Sequence, residues 1–203
     1  PYVASGLSNL VTVLTYEGKY AEAESLSWQA LRIYRKQFGE EHPAVASALN
    51  NLAGLLQSEG KNAAAEPLYR QTLAVRRKLL GEEHPAVATS LNNLALVCQG
   101  QGKLGEAETL YGQALAMRRK LLGPDHPQVA NSLLGLGQVL LAEHQAAAAL
   151  PLLRECVAIR GKKRAPDNWQ LAAAENALGA CLAMQRHYAE AESLLVRSTP
   201  VLT

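Results

Sequence analysis

An excess of charge of one sign is missing: 20 Lys and Arg stand against 18 Asp and Glu, a formal +2 over 203 residues. That balance argues against nucleic acid or an anionic membrane as partner. No apolar run approaches the roughly 18 residues that signal a membrane-spanning helix, so no transmembrane segment is expected. Cysteine is sparse, and Cys98, Cys156 and Cys181 are an odd number at irregular spacing. They make no disulfide framework and point to a reducing compartment, so a cytoplasmic protein is expected. The chain also lacks a Gly-rich phosphate loop, a His-Glu-x-x-His motif, a Cys-x-x-Cys pair and a Gly-x-Ser-x-Gly elbow. Neither an enzyme, a cofactor nor a small-molecule substrate is expected. What the chain does have is 48% hydrophobic and 19% charged residues, a composition that builds a core. It opens on Pro1 rather than Met, so it is expected to be a piece of a longer protein.

The strongest signal is a repeat. His42-Pro43-Ala44-Val45-Ala46 recurs as His84-Pro85-Ala86-Val87-Ala88 and as His126-Pro127-Gln128-Val129-Ala130, 42 residues apart each time. Residues 42–83 and 84–125 agree at 26 of 42 positions without a gap. The same register reaches back to Pro1 and forward to Asn168-Trp169-Gln170-Leu171-Ala172. Five repeats follow, at 1–41, 42–83, 84–125, 126–167 and 168–203, forming a single array.

Each repeat reads as two helices. In the second, a helix is expected from Pro43 to about Glu59, with Pro at the first helical position, where its missing N–H is harmless. Leu49, Leu52, Leu55 and Leu56 carry the spacing of one apolar face. Gly60-Lys61 breaks the helix, as do Gly18-Lys19 and Gly102-Lys103 in their repeats. A second helix carries Ala65, Leu68, Tyr69, Leu73 and Val75 and stops at Gly81. No alternating run competes, so the class is all-α.

Leu49-x2-Leu52-Ala53-x2-Leu56, then Gly60, Ala65-x3-Tyr69 and Thr72-Leu73, resembles the tetratricopeptide signature. The 42-residue form is similar to the repeats of kinesin light chains and their bacterial relatives. In repeat four His144-Gln145, and in repeat five Arg186-His187, replace Gly-Lys. The last segment also resembles tetratricopeptide tails of large bacterial signalling proteins. The resemblance implies a right-handed α-solenoid of five antiparallel helix pairs, with the first helices lining a concave groove.

His42, His84 and His126 share one column, so stacking spreads them along the array rather than around one ion. Each is expected to cap the helix that its Pro opens, and no metal is expected. Cys98 and Cys181 fall on the inward side of first helices and Cys156 on a small packing position, so all three read as inert. The basic residues all lie outside first helices. Arg76-Arg77-Lys78, Arg118-Arg119-Lys120 and Arg160 with Lys162-Lys163-Arg164 sit near second-helix C-termini, while acids gather at second-helix starts. That polarity suits the helix dipole. The same column leaves a nucleic-acid-binding stripe as the lesser alternative.

The groove-facing columns are Ser8, Asn50, Asn92, Leu134 and Asn176, then Asn9, Asn51, Asn93, Gly135 and Ala177. Ser5, Ser47, Thr89, Asn131 and Ala173 form another near the helix starts. Thr15, Gln57, Gln99, Leu141 and Ala183 form one near the ends. Asn is about 0.6 kcal/mol worse than Ala in a helix interior, so its repetition needs a reason. Asn side chains cross-link neighbouring repeats, or they match the alternating donors and acceptors of an extended peptide. The resemblance implies the peptide role for the column Asn9, Asn51, Asn93. First helices lack Lys and Arg; their charges are Glu17, Glu59 and Glu143 near the ends and Glu175 in repeat five. A neutral or mildly basic ligand, with an apolar segment near Leu134, Leu141 and Met184, is therefore expected rather than an acidic peptide. The expected function is a protein–protein interaction module binding an extended or helical segment through an Asn ladder. The alternative is a regulatory arm docking on another domain of its own chain. End-to-end self-association is expected if no flanking domain covers the terminal repeats.

Overall fold

The computed structural model describes residues 2–162 and 168–202, with every side chain there except those of residues 2–5, 8 and 200–202. Ten helices and no strand occur among them: α1 (Tyr2–Tyr16), α2 (Tyr20–Phe38), α3 (Pro43–Ser58), α4 (Asn62–Leu80), α5 (Pro85–Gly100), α6 (Leu104–Leu122), α7 (Pro127–Ala142), α8 (Ala146–Gly161), α9 (Trp169–Met184) and α10 (Tyr188–Leu202). The chain divides into two compact units, Pro1–Gly102 and Lys103–Thr203. The boundary falls in the turn of repeat three, between its own two helices. In the first unit each helix packs on the next in sequence from α1 to α5. The second unit repeats this from α6 to α10, and α7 also touches α9.

The helix starts follow from the His-Pro pairs. His42 Nδ1 accepts the backbone N–H of Ala44, His84 that of Ala86 and His126 that of Gln128, each at 3.1 Å. In repeat five Asn168 does the same work, its Oδ1 accepting from the N–H of Leu171 at 3.1 Å. The expected caps are in place, and each satisfies one orphan donor of the first turn. Inside the hairpins, Gly60 (φ +76) ends the first helix in the left-handed region that glycine enters without strain. His144 (φ +60) and Arg186 (φ +66) hold the equivalent turns with side chains that disfavour it. Gly81, at φ 82 and ψ 173, occupies a region open essentially to glycine alone, and Gly39 and Gly123 match it.

Small residues let the helices of a hairpin approach within each unit. Ala23, Ala65, Ala107, Ala149 and Ala191 occupy one column and are all buried. Facing them, a Cβ at Gly137 would stand 2.6 Å from Leu153, and one at Gly179 would stand 2.8 Å from Leu195. Larger side chains fill what remains: Leu49, Leu91 and Leu133, one column, are each fully buried.

Candidate functional site

Glu175 occupies that same leucine column in repeat five. It is 5% exposed, and its Oε1 accepts a hydrogen bond from Arg197 of α10. The sequence reading treated Glu175 as a charge on a groove-lining helix. The structure corrects this: the carboxylate points between α9 and α10 and is held by an ion pair.

The Asn columns separate once the helices are placed. Adjacent residues on a helix point about 100° apart, so Asn50 and Asn51 cannot face the same way. Asn93 donates its side-chain N–H to Asn50 Oδ1 at 3.2 Å, joining α5 to α3. Asn51 and Asn9 are exposed and make no hydrogen bond among the described residues. Ser47 and Asn176 are likewise exposed without such a partner. The remaining polar positions have internal partners. Gln57 accepts the Tyr69 hydroxyl at 3.0 Å, and Thr89 donates to the Pro85 carbonyl at 3.0 Å. Asn131 accepts from Arg160 at 3.0 Å, and Asn92 and Gln99 are both engaged. Leu134 is half-buried and packs on the core of the second unit. The side chain of Ser8 lies outside the described residues.

Within the first unit a cleft of about 530 Å³ opens between α1 and α3. Thr12, Thr15 and Tyr16 line it from α1, and Asn51, Gly54 and Ser58 from α3; none of its lining residues is charged. Tyr69 closes one end, its hydroxyl pushed up to about 12 by burial. Gly54 faces this end: a Cβ there would come into ordinary contact, 3.4 Å, with the Tyr69 hydroxyl.

The basic column is built differently from the sequence expectation. Arg76 Nη1 donates to the Ala86 carbonyl at 3.2 Å and to Ser90 Oγ at 2.8 Å. Arg118 repeats the arrangement on the Gln128 carbonyl at 2.9 Å and Ser132 Oγ at 2.7 Å. Arg160 reaches the Gln170 carbonyl and Asn131. These guanidiniums tie α4 to α5, α6 to α7 and α8 to α9. Burial pushes Arg118 down to about 10 and lowers Arg76 and Arg160 as well. In repeat one the position holds Tyr34, stacked with Phe38, which stacks on His42 with centroids 4.2 Å apart. Ala48 there replaces the accepting serine. Their neighbours in the column are internally paired too: Arg77 with Glu82, Lys78 with Glu41, Arg119 with Glu155 and Lys162 with Asp125. Lys163 and Arg164 lie outside the described residues. The sequence reading missed the clamps, although Ser90 and Ser132, each 14 residues after its arginine, were a signal for them.

Cys98, Cys156 and Cys181 are buried thiols outside any disulfide. Cys156 donates to the Ala130 carbonyl at 3.2 Å, and burial pushes its thiol up to about 11, away from the reactive thiolate.

Family models locate the repeat independently: the tetratricopeptide-repeat model matches residues 2–78, 45–120 and 87–162. The chain belongs to the tetratricopeptide-repeat family. Solved structures agree on the type of array. A Podosopora anserina protein described as a kinesin light chain with nearly identical TPR-like repeats is 28% identical, with a TM-score of 0.80 over 98% of this chain and 94% of that one. A single-substitution form of it gives 27% identity and a TM-score of 0.82, over 97% of this chain and 93% of that one. BtubC (BKLC) of P. vanneervenii is 26% identical, with a TM-score of 0.84 over 96% of this chain and 78% of that one. No curated protein matches the sequence. The fold is thus the all-α tetratricopeptide solenoid of kinesin light chain type, a repeat scaffold of the kind that serves protein–protein interaction. No described helix is long and apolar enough to cross a membrane.

Proposed function

We propose that this tetratricopeptide array is a non-enzymatic cytoplasmic module that holds an extended segment of a partner protein against its first helices. Asn51 carries the reading. It lines an uncharged cleft, it is exposed, and its amide has no hydrogen-bond partner among the described residues. An amide offers a donor and an acceptor together, as a peptide backbone requires. Asn9, in the same column and equally unpartnered, extends the polar row by one repeat. The pairing of the basic residues with internal acids and carbonyls favours a protein ligand over nucleic acid, which needs free cations for its phosphates.

Two such contacts, each netting about 0.5–1.5 kcal/mol, fall well short of the roughly 8 kcal/mol of micromolar affinity. Apolar burial in the cleft must supply most of the remainder. Peptides selected from a displayed random library against the full chain serve as the probe. Asn51→Ala is expected to weaken their binding several-fold while leaving the melting temperature at or above the original, since Ala is the better helix former. A chain that selects no peptide, or peptides indifferent to both Asn51→Ala and Asn9→Ala, rules this groove out.

A further inference from the structure

We infer that the cleft over Gly54 is a selective pocket for one large apolar side chain of the bound segment, flanked by uncharged residues. This rests on the reading of the groove as a peptide site and adds what that site selects. The five repeats are not equivalent here. The column that holds Gly54 in repeat two holds Thr12, Leu96, Gln138 and Ala180 in the others. Glycine inside a helix is unfavourable to stability, so a cavity is the visible return for placing it in α3. With no side chain at residue 54, the cleft extends as far as Tyr69, whose hydroxyl is the nearest group. Its volume, about 530 Å³, is ample for one large side chain entering from the open face.

The chemistry of the wall excludes charge. Three of the hydroxyls facing the cleft already donate within the protein: Thr15 to the Val11 carbonyl at 2.7 Å, Ser27 to Ala23 at 2.7 Å and Ser58 to Gly54 at 3.0 Å. Tyr69 donates to Gln57, and Asn50 accepts from Asn93. A charged group entering this wall would lose water and meet no countercharge, which is strongly unfavourable. An apolar group meets methyl, methylene and ring surface. At the mouth stands Tyr16, 89% exposed, a large ring that a bound side chain would cover. Beside it, the free amide of Asn51 is placed to hold the backbone on either side of the anchoring residue.

The test uses the full chain and peptides selected on it from a random displayed library. The enriched sequences are expected to share one Trp, Phe, Tyr, Leu or Met between uncharged neighbours. Gly54→Leu, which installs the side chain found at Leu96 one repeat on, fills the cleft. It is expected to lower affinity about tenfold or more, the scale on which hydrophobic pockets discriminate. Helicity and melting temperature should hold, because leucine favours the helix more than glycine. Gly54→Ala keeps the test usable if Gly54→Leu misfolds: its Cβ reaches only ordinary contact with Tyr69, and an intermediate loss is expected. Peptides that bind Gly54→Leu and the original equally, yet weaken with Asn51→Ala, would overturn the pocket while leaving the groove in place. Enrichment of acidic or basic residues without an apolar anchor would overturn it too. Failure to select any peptide sinks both readings.

Discussion

Asn93 of α5 donates its side-chain N–H to Asn50 of α3 at 3.2 Å, one repeat away. The two asparagines belong to different columns, so at this junction one column supplies the donor and the other the acceptor. Asn51, beside Asn50 and equivalent to Asn93, makes no hydrogen bond among the described residues. Neighbouring residues of one helix thus differ: Asn50 takes part in a cross-link between repeats, and Asn51 is exposed.

Asn93→Ala and Asn51→Ala should therefore separate. Both gain helix propensity, about 0.6 kcal/mol by the Asn-to-Ala difference. Asn93→Ala also removes the Asn50 partner, a loss of roughly 1 kcal/mol for a half-buried amide. In paired denaturant titrations Asn51→Ala should be the more stable by about 1 kcal/mol. Equal stabilities would mean the Asn50–Asn93 bond contributes nothing in solution.

Arg118 and Arg119 are sequence neighbours with opposite fates. Arg118 is 3% exposed and holds two acceptors of α7, whereas Arg119 makes an exposed pair with Glu155. Arg118→Ala should cost roughly 2 kcal/mol or more by removing charge-assisted bonds and packing. Arg119→Ala should cost under about 1 kcal/mol. Thermal melts in low and high salt check both: only the Arg119 difference should shrink with salt.

The left-handed turns at His144 and Arg186 carry strain that Gly60 avoids. His144→Gly and Arg186→Gly should each stabilise by about 1 kcal/mol. Gly60→Ala should destabilise by a similar amount. The sign is the test, since glycine elsewhere in a helical protein lowers stability; a lowered denaturant midpoint for the two glycine variants would refute the assignment.

Burial raises Cys156 from its ordinary 9.0 to about 11. The folded state therefore favours the neutral thiol, and its contribution is intact below pH 9.0. Above that the unfolded chain ionises first, so stability falls as pH climbs from 9.0 towards about 11, by a total of roughly 2–3 kcal/mol. Cys156→Ala, the residue found at Ala30 and Ala114, should flatten this part of the pH–stability profile. Native Cys156 should also resist alkylation at pH 8 until denaturant is added.

Much of this protein was legible in one dimension. The 42-residue period, the His-Pro caps and the glycine turns are local, because each rests on backbone geometry that a few adjacent residues decide. The leucine and alanine columns follow from helical periodicity, and the structure buries them as that periodicity requires. What periodicity does not supply is the rotation of each helix against its neighbour. In Arg118-Arg119-Lys120 the side chains point in three directions, and only packing against α7 turns the first inward to Ser132. Asn50 and Asn51 are identical in type and adjacent in sequence, yet one meets Asn93 and the other meets water. Glu175 was misread for the same reason: its burial depends on Arg197, which lies 22 residues away on another helix. The sequence by itself determined the repeat, the helices and their turns, all of them short-range. The tertiary structure alone decided which polar side chains the repeats use on one another and which stay exposed, because that depends on distances between helices.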